Sequence, residues 1–245
     1  MTERNSGQES TPQPPSRGAN LAQEEGLMGR LVGNMIRRSV RKSFRNVYWQ
    51  PPKADLQGPA IFVPNHHGWH DGYLMFHVVT ALGLRSLDWI AEFDAFPPFA
   101  KIGGMPFPPN DPSRRIATVR RTIRLMRDEQ RSLVLFAEQH LHAPPDLLPF
   151  GKALQTIADA VPHGTVVPVA IHYAMDIHER PEAFLALGEP VSSGEGVLDR
   201  TRTALAELLQ STAIAARTPG WKILARGTPD VNERWDMRRF RKKSR

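Results

Sequence analysis

Short apolar runs alternate with helix-period segments through the middle of this chain, and few architectures accommodate that order. Pro59 to Pro64 (PAIFVP), Leu87 to Ala91, Ser132 to Phe136 and Thr165 to Ile171 read as strands, the first as a buried one. Between them Gly72 to Leu82 reads as a helix. Ile116, Val119, Ile123 and Met126 mark one face of another, begun by the Asp111-Pro112-Ser113 turn, and Leu154 to Val161 forms a third. Strands separated by helices imply an α/β fold, a single domain with a mostly parallel, mixed sheet flanked by helices. A late helix, Val197 to Ala216, has Leu198, Leu205, Leu208 and Leu209 as its inner stripe. No internal repeat or long linker divides the body, and 245 residues suit one core.

The ends differ from the body, which spans 51–228. Residues 1–20 are Ser, Gln, Pro, Gly and charge with almost no large apolar side chain, the composition of a disordered leader. Residues 21–50 are expected to form a basic amphipathic helix. Met28, Leu31, Val32, Met35, Ile36, Val40, Phe44 and Val47 recur at helical spacing, with arginines on the other side. A helix lying in lipid headgroups and a helix packed on the domain with a solvated basic face both satisfy this pattern. Residues 229–245 form a basic tail with Trp235, Met237 and Phe240 interleaved.

Charge sorts the partners. Of the net +7, Arg30, Arg37, Arg38, Arg41, Lys42 and Arg45 contribute +6, and Asn232 to Arg245 adds +5, which leaves the remainder at −4. Two cationic flanks around an acidic body suit docking on an anionic membrane surface. A nucleic-acid groove on the core is not expected, although a non-catalytic module binding membrane or nucleic acid through its flanks remains a rival class. No apolar run reaches the roughly 18 residues a spanning helix needs, which excludes a multi-span membrane protein. The chain has no cysteine, so disulfides, thiolate metal sites and cysteine nucleophiles are excluded. With no secretory signal at the polar N-terminus, a cytoplasmic protein, peripheral on the inner face of the membrane, is expected.

The densest polar cluster, Asn65-His66-His67-Gly68-Trp69-His70-Asp71, directly follows PAIFVP. Strand ends are where α/β proteins place their sites. His66 and Asp71, five residues apart, meet only if the chain turns between them, and Gly68 supplies freedom for that turn. A carboxylate on one imidazole nitrogen leaves the other able to accept a proton, which makes the pair a general base for a hydroxyl. A metal-dependent hydrolase using His66, His67, His70 and Asp71 is the competing reading of the same cluster. It lacks a second cluster to borrow ligands from, since His140 and His142 are the only close pair elsewhere.

Asn65-His66 followed by Asp71 resembles the NHxSxxD block (an HX4D motif) of the glycerolipid acyltransferase superfamily, the lysophosphatidic acid acyltransferase-like proteins. Three further blocks follow in that family's order. Ile102-Gly103-Gly104-Met105-Pro106-Phe107 resembles the second. Leu135-Phe136-Ala137-Glu138 resembles the third, with Leu148-Pro149-Phe150-Gly151-Lys152-Ala153 echoing the stretch after it, and Val167-Pro168-Val169-Ala170-Ile171 matches the fourth. The resemblance covers about Ala60 to Tyr173. It implies a membrane-peripheral O-acyltransferase of lipid metabolism that moves an acyl group from acyl-CoA or acyl carrier protein to a hydroxyl acceptor. No cofactor or metal is then needed. His66 would be the general base and Asp71 its orienting partner, with Asn65, Gly103, Gly104, Phe107, Glu138, Gln139 and Lys152 at the substrates. Backbone N–H groups near Gly103-Gly104 would serve the oxyanion.

The departures bear on the acceptor. The family's third block reads FPEGTR, whereas Phe136-Ala137-Glu138-Gln139-His140-Leu141 lacks its Arg, and Pro108-Pro109-Asn110 stands where the second block's Arg falls. Losing both guanidinium groups argues for an uncharged lipid or sugar hydroxyl unless Arg114, Arg115 or Lys152 substitutes.

Overall fold

The structure, a computed structural model, describes residues 25–53, 56 and 58–235. In chain order its elements are α1 (Gly26–Ser43), β1 (Asn46–Gln50), β2 (Ala60–Pro64), α2 (Asp71–Ala81) and β3 (Ser86–Ile90). Two 3-10 turns (Phe93–Ala95 and Pro97–Ile102) lead to β4 (Gly104–Pro106), α3 (Pro112–Glu129), β5 (Ser132–Val134), α4 (Ala153–Ala160), β6 (Thr165–Ala174) and β7 (Glu182–Leu187). The last described elements are α5 (Val197–Ala215), β8 (Lys222–Arg226) and α6 (Val231–Arg234).

All eight strands join one sheet in the order β4-β3-β5-β2-β6-β7-β1-β8. Five neighbouring pairs are parallel, and only β6 with β7 and β1 with β8 run antiparallel. Central β2 is buried along its whole length, as a strand covered on both faces must be, and its apolar run reflects this. One face packs Phe62, Leu74, Met75, Val78 and Val167 together, and the other packs Ile61, Leu133, Leu154 and Ile157.

The helix expected over 21–50 is shorter. α1 stops at Ser43, and Asn46–Gln50 is a strand held between β7 and β8. Val47, Tyr48 and Trp49 favour an extended, half-buried ladder, and sheet pairing overrides the helical spacing that continued through them. α1 itself has two apolar faces. Val32, Ile36 and Val40 are buried, the first two against Phe76 and Ile102. Leu27, Met28, Leu31 and Met35 form a second ridge, 38–68% exposed.

Arg45, the last member of the first basic run, points inward to Glu182, Asp230 and Glu233, and Asp230 and Glu233 form the capping box of α6. The first residues of the basic tail are therefore folded against β1. The expected leader, 1–20, and tail residues 236–245, including Met237 and Phe240, lie outside the described residues. No helix among the described residues is long and apolar enough to cross a membrane.

Candidate active site

β2 ends at Pro64, and the next six residues carry the chain across the edge of the sheet into α2. Gly68 makes the crossing: its carbonyl accepts from the Asp71 N–H at 3.1 Å, and its own N–H donates to Asp71 Oδ2 at 2.8 Å. A Cβ at position 68 would lie 2.5 Å from the Tyr173 ring, so only glycine lets the loop pass this close to β6. The turn brings His66 Nδ1 to 3.0 Å from Asp71 Oδ2. Asp71 is fully buried at the first position of α2, where the partial positive charge of the helix N-terminus favours a carboxylate. Tyr173 donates its hydroxyl to the other oxygen, Oδ1. Burial and the Asp71 charge push the Tyr173 hydroxyl well above its ordinary pKa, which keeps it a donor.

Both oxygens of Asp71 are thus engaged, and the ring of His66 is fixed through Nδ1. The ring also lies against Phe136, 4.3 Å between centroids. Its Nε2 has no hydrogen-bond partner among the described residues, and the residue lines two cavities. One, of 250 Å³, is mostly apolar: Ile36, Phe76, Ile90, Phe99, Ile102, Gly104 and Val134 contribute walls, and Trp69, 68% exposed, stands at its edge. The other, of 430 Å³, is also largely apolar but has Arg115, Gln139, His140 and Lys152 on its lining. His66 belongs to both.

A single carboxyl borders the 250 Å³ cavity. Asp88 on β3 is half-buried and lines that space. Burial raises its pKa to about 7, against an opposing pull from His66.

Three of the residues expected at the substrates are instead walls. Asn65 is fully buried and spans β2 and β6, accepting from the Ile171 N–H at 2.8 Å and donating to the Ile171 carbonyl at 3.1 Å. Glu138 is 2% exposed. Its Oε1 accepts from the His66 N–H at 2.8 Å, while Oε2 faces His142 Nε2 at 2.6 Å and accepts from the Leu148 N–H at 2.7 Å. It positions the His66 loop, and its oxygens are engaged by two backbone N–H groups and His142 rather than turned to the cavities beside His66. Gly103 adopts the left-handed conformation (φ 99°) that ends the second 3-10 turn, and its N–H donates back to Ala100. That N–H is therefore unavailable to an oxyanion. Gly104, Phe107, Gln139 and Lys152 do line the cavities beside His66.

The set His66, His67, His70 and Asp71 is not drawn together around one point. His70 packs among Phe44, Trp69 and Tyr73, and its burial lowers its pKa. His67 turns toward the Asp146 carbonyl. Sequence reading missed Tyr173, whose only signal was an aromatic residue just beyond the fourth block, and Asp88, which looked like one more polar residue on a strand.

Of the three arginine or lysine substitutes, Arg114 is occupied by a bidentate pair with Asp94. Arg115 lies over the Phe107 ring, 4.7 Å from its centroid, and Arg115 and Lys152 both line the second cavity.

The dyad thus stands at a strand end, on the lining of two cavities. The chain belongs to the Acyltransferase family, whose model matches residues 37–172, more than half its length. Its fold is similar to the crystal structure of the 1-acyl-sn-glycerophosphate (LPA) acyltransferase PlsC from Thermotoga maritima. The two agree at a TM-score of 0.54 with 17% identity, over 78% of this chain and 80% of that one. No curated protein matches the sequence.

Proposed function

We propose that this acyltransferase moves a fatty acyl group from an acyl thioester to the hydroxyl of a lipid acceptor at a membrane surface. The observation that carries this reading is His66 itself: Nδ1 is held by Asp71, Nε2 has no hydrogen-bond partner among the described residues, and the residue lines both cavities. In the reaction Nε2 takes the acceptor's hydroxyl proton while the oxygen attacks the thioester carbonyl. Asp71 stabilises the imidazolium. The tetrahedral intermediate then collapses, the carbon–sulfur bond breaks, and His66 returns the proton to the departing thiolate. No residue need be acylated, and the chain has no cysteine for that role.

The cavity beside Asp88 suits the acyl chain, and the one that Arg115 and Lys152 line suits the acceptor. Sequence alone argued for an uncharged acceptor, because two motif arginines are absent. The fold returns two cations, Arg115 and Lys152, to the rim beside His66, which favours an acceptor that carries a phosphate as well as a hydroxyl. The exposed ridge Leu27, Met28, Leu31 and Met35, with Arg30, Arg38 and Arg41 on the same helix, fits an anionic bilayer surface. Ile36 of that helix walls the acyl cavity.

A thiol-release assay with acyl-CoA and acyl carrier protein donors tests the chemistry, across phosphorylated and neutral hydroxyl acceptors. Release that depends on a phosphorylated acceptor and falls at least about a thousandfold in His66→Ala is expected. Release indifferent to His66→Ala would end the mechanism, and turnover confined to neutral acceptors would overturn only the assignment of Arg115 and Lys152. Co-sedimentation with anionic vesicles tests the surface role, which Leu31→Glu with Met35→Glu should abolish.

A further inference from the structure

His67 and His142 occupy positions to which the motif resemblance gives no role, yet the fold sets both beside the Glu138 carboxylate. One donor atom from each of the three residues lies within 4.8 Å of the other two. The histidines come from different loops, 75 positions apart in the chain, and their rings meet edge to face with 4.7 Å between centroids.

Each ring is already oriented from behind by a backbone carbonyl. His67 Nε2 lies 3.1 Å from the Asp146 oxygen, and His142 Nδ1 lies 3.1 Å from the Ala143 oxygen. A carbonyl that holds one ring nitrogen as N–H presents the other as a lone pair, which is how metal-bound imidazoles are usually supported; His67 fits this directly, whereas His142 Nε2 donates to Glu138 Oε2 and gives up that proton when an ion enters. The remaining nitrogen of His142 faces Glu138 Oε2 at 2.6 Å, and that of His67 has no hydrogen-bond partner among the described residues. Glu138, in turn, is held by the His66 and Leu148 N–H groups, so the carboxylate is aimed before any ligand arrives.

We propose that His67, Glu138 and His142 form a three-ligand site for a first-row divalent cation, zinc above the others. Two imidazoles and one carboxylate suit zinc and its neighbours, whereas magnesium and calcium prefer all-oxygen shells. Bonds of about 2.0–2.2 Å at tetrahedral angles place donors about 3.3–3.5 Å apart. To reach that spacing the 2.6 Å His142–Glu138 pair must open and the wider separations must close, which calls for rotation of the two half-buried rings. His67 also borders a 750 Å³ cavity between Pro144–Leu147 and α5, which gives an ion a way in and leaves its fourth position open to solvent. The ion would clamp the His66 loop to the Glu138–Leu148 segment. His66 and Asp71 are not among its ligands, so the site stands whether or not the acyltransfer reading holds.

The test uses the full-length, untagged chain, stripped with a chelator and then titrated with Zn²⁺ and, separately, with Co²⁺. One zinc per chain should survive gel filtration, Co²⁺ should give the intense visible bands of a four-coordinate site, and Zn²⁺ should raise the thermal unfolding midpoint. His67→Gln and His142→Gln should each weaken binding at least about tenfold. His140→Gln and His172→Gln should leave it unchanged. Absence of stoichiometric retention by the wild-type chain would overturn the proposal without reference to any variant. Affinity that survives both His67→Gln and His142→Gln, or that falls equally in His140→Gln, would do the same.

Discussion

Tyr173 donates its hydroxyl to Oδ1 of Asp71, the oxygen that His66 does not use. The tyrosine sits near the end of β6 and the aspartate at the start of α2, so sheet and helix together fix the carboxylate that orients the base. A hydrogen bond to a buried charged group contributes about 1.5–3 kcal/mol. Tyr173→Phe keeps the ring that stacks on Phe44 and removes only the donor. The expected outcome is a kcat about ten- to a hundredfold lower with little change in KM. Steady-state kinetics with one acyl donor checks it, and an unchanged kcat would show that Gly68 and His66 alone suffice to hold Asp71.

The same tyrosine limits what can stand at position 68. A methyl group there would meet the Tyr173 ring at 2.5 Å, and neither the ring nor the loop can yield without moving Asp71. Gly68→Ala should therefore lose stability and activity together. Tyr173→Ala makes room, so the added cost of Gly68→Ala in that background should be much smaller than in the wild type. A double-mutant cycle by urea unfolding measures the difference; additive costs would place the clash elsewhere.

These contacts mark where sequence reading succeeds and where it stops. Strands β2, β3, β5 and β6 were visible because each is a short apolar run bounded by turns, and the His66–Asp71 meeting was visible because Gly68 permits the turn between them. β1 was hidden because Val47 falls on the helical stripe of α1, and only pairing with β7 and β8 decides otherwise. Asn65 and Glu138 were legible as site residues but not as supports, since that distinction depends on which backbone groups their oxygens meet. Tyr173 and Asp88 reach the site through register alone, and no local pattern announces register.

Gly72 offers a way to reshape the acyl cavity without disturbing the dyad. It lines that cavity from the first turn of α2, and a Cβ there would touch only Asp88 Oδ2, at an ordinary 3.7 Å. Helical glycine also costs roughly 0.5–1 kcal/mol relative to alanine. Gly72→Ala should raise the thermal midpoint slightly, and Gly72→Leu should fill part of the 250 Å³ space. The Leu variant is expected to lose kcat/KM for long acyl donors by about tenfold or more while retaining short ones. A chain-length series of acyl-CoA donors reads this directly. An unaltered profile would move the acyl chain to another cavity.

Asp88 gives that cavity a pH dependence whose sign follows from its burial. Its pKa rises from 3.8 to about 7 in the folded state. Between those values the folded protein keeps a proton that the unfolded chain has released, so stability falls as pH climbs from about 4 to about 7 and levels off above. The difference corresponds to at most about 4 kcal/mol. Asp88→Asn keeps the shape and removes the charge. Its thermal midpoint should exceed that of the wild type at pH 8, and the two should converge at or below pH 4. An acyl chain entering the cavity displaces water from around the carboxyl and further disfavours its ionised form. Acyl-donor binding should then take up a proton near pH 7, with KM rising above that pH in the wild type and staying flat in Asp88→Asn. A wild-type KM that does not change between pH 6 and pH 8 would mean that the chain does not pass Asp88 at all.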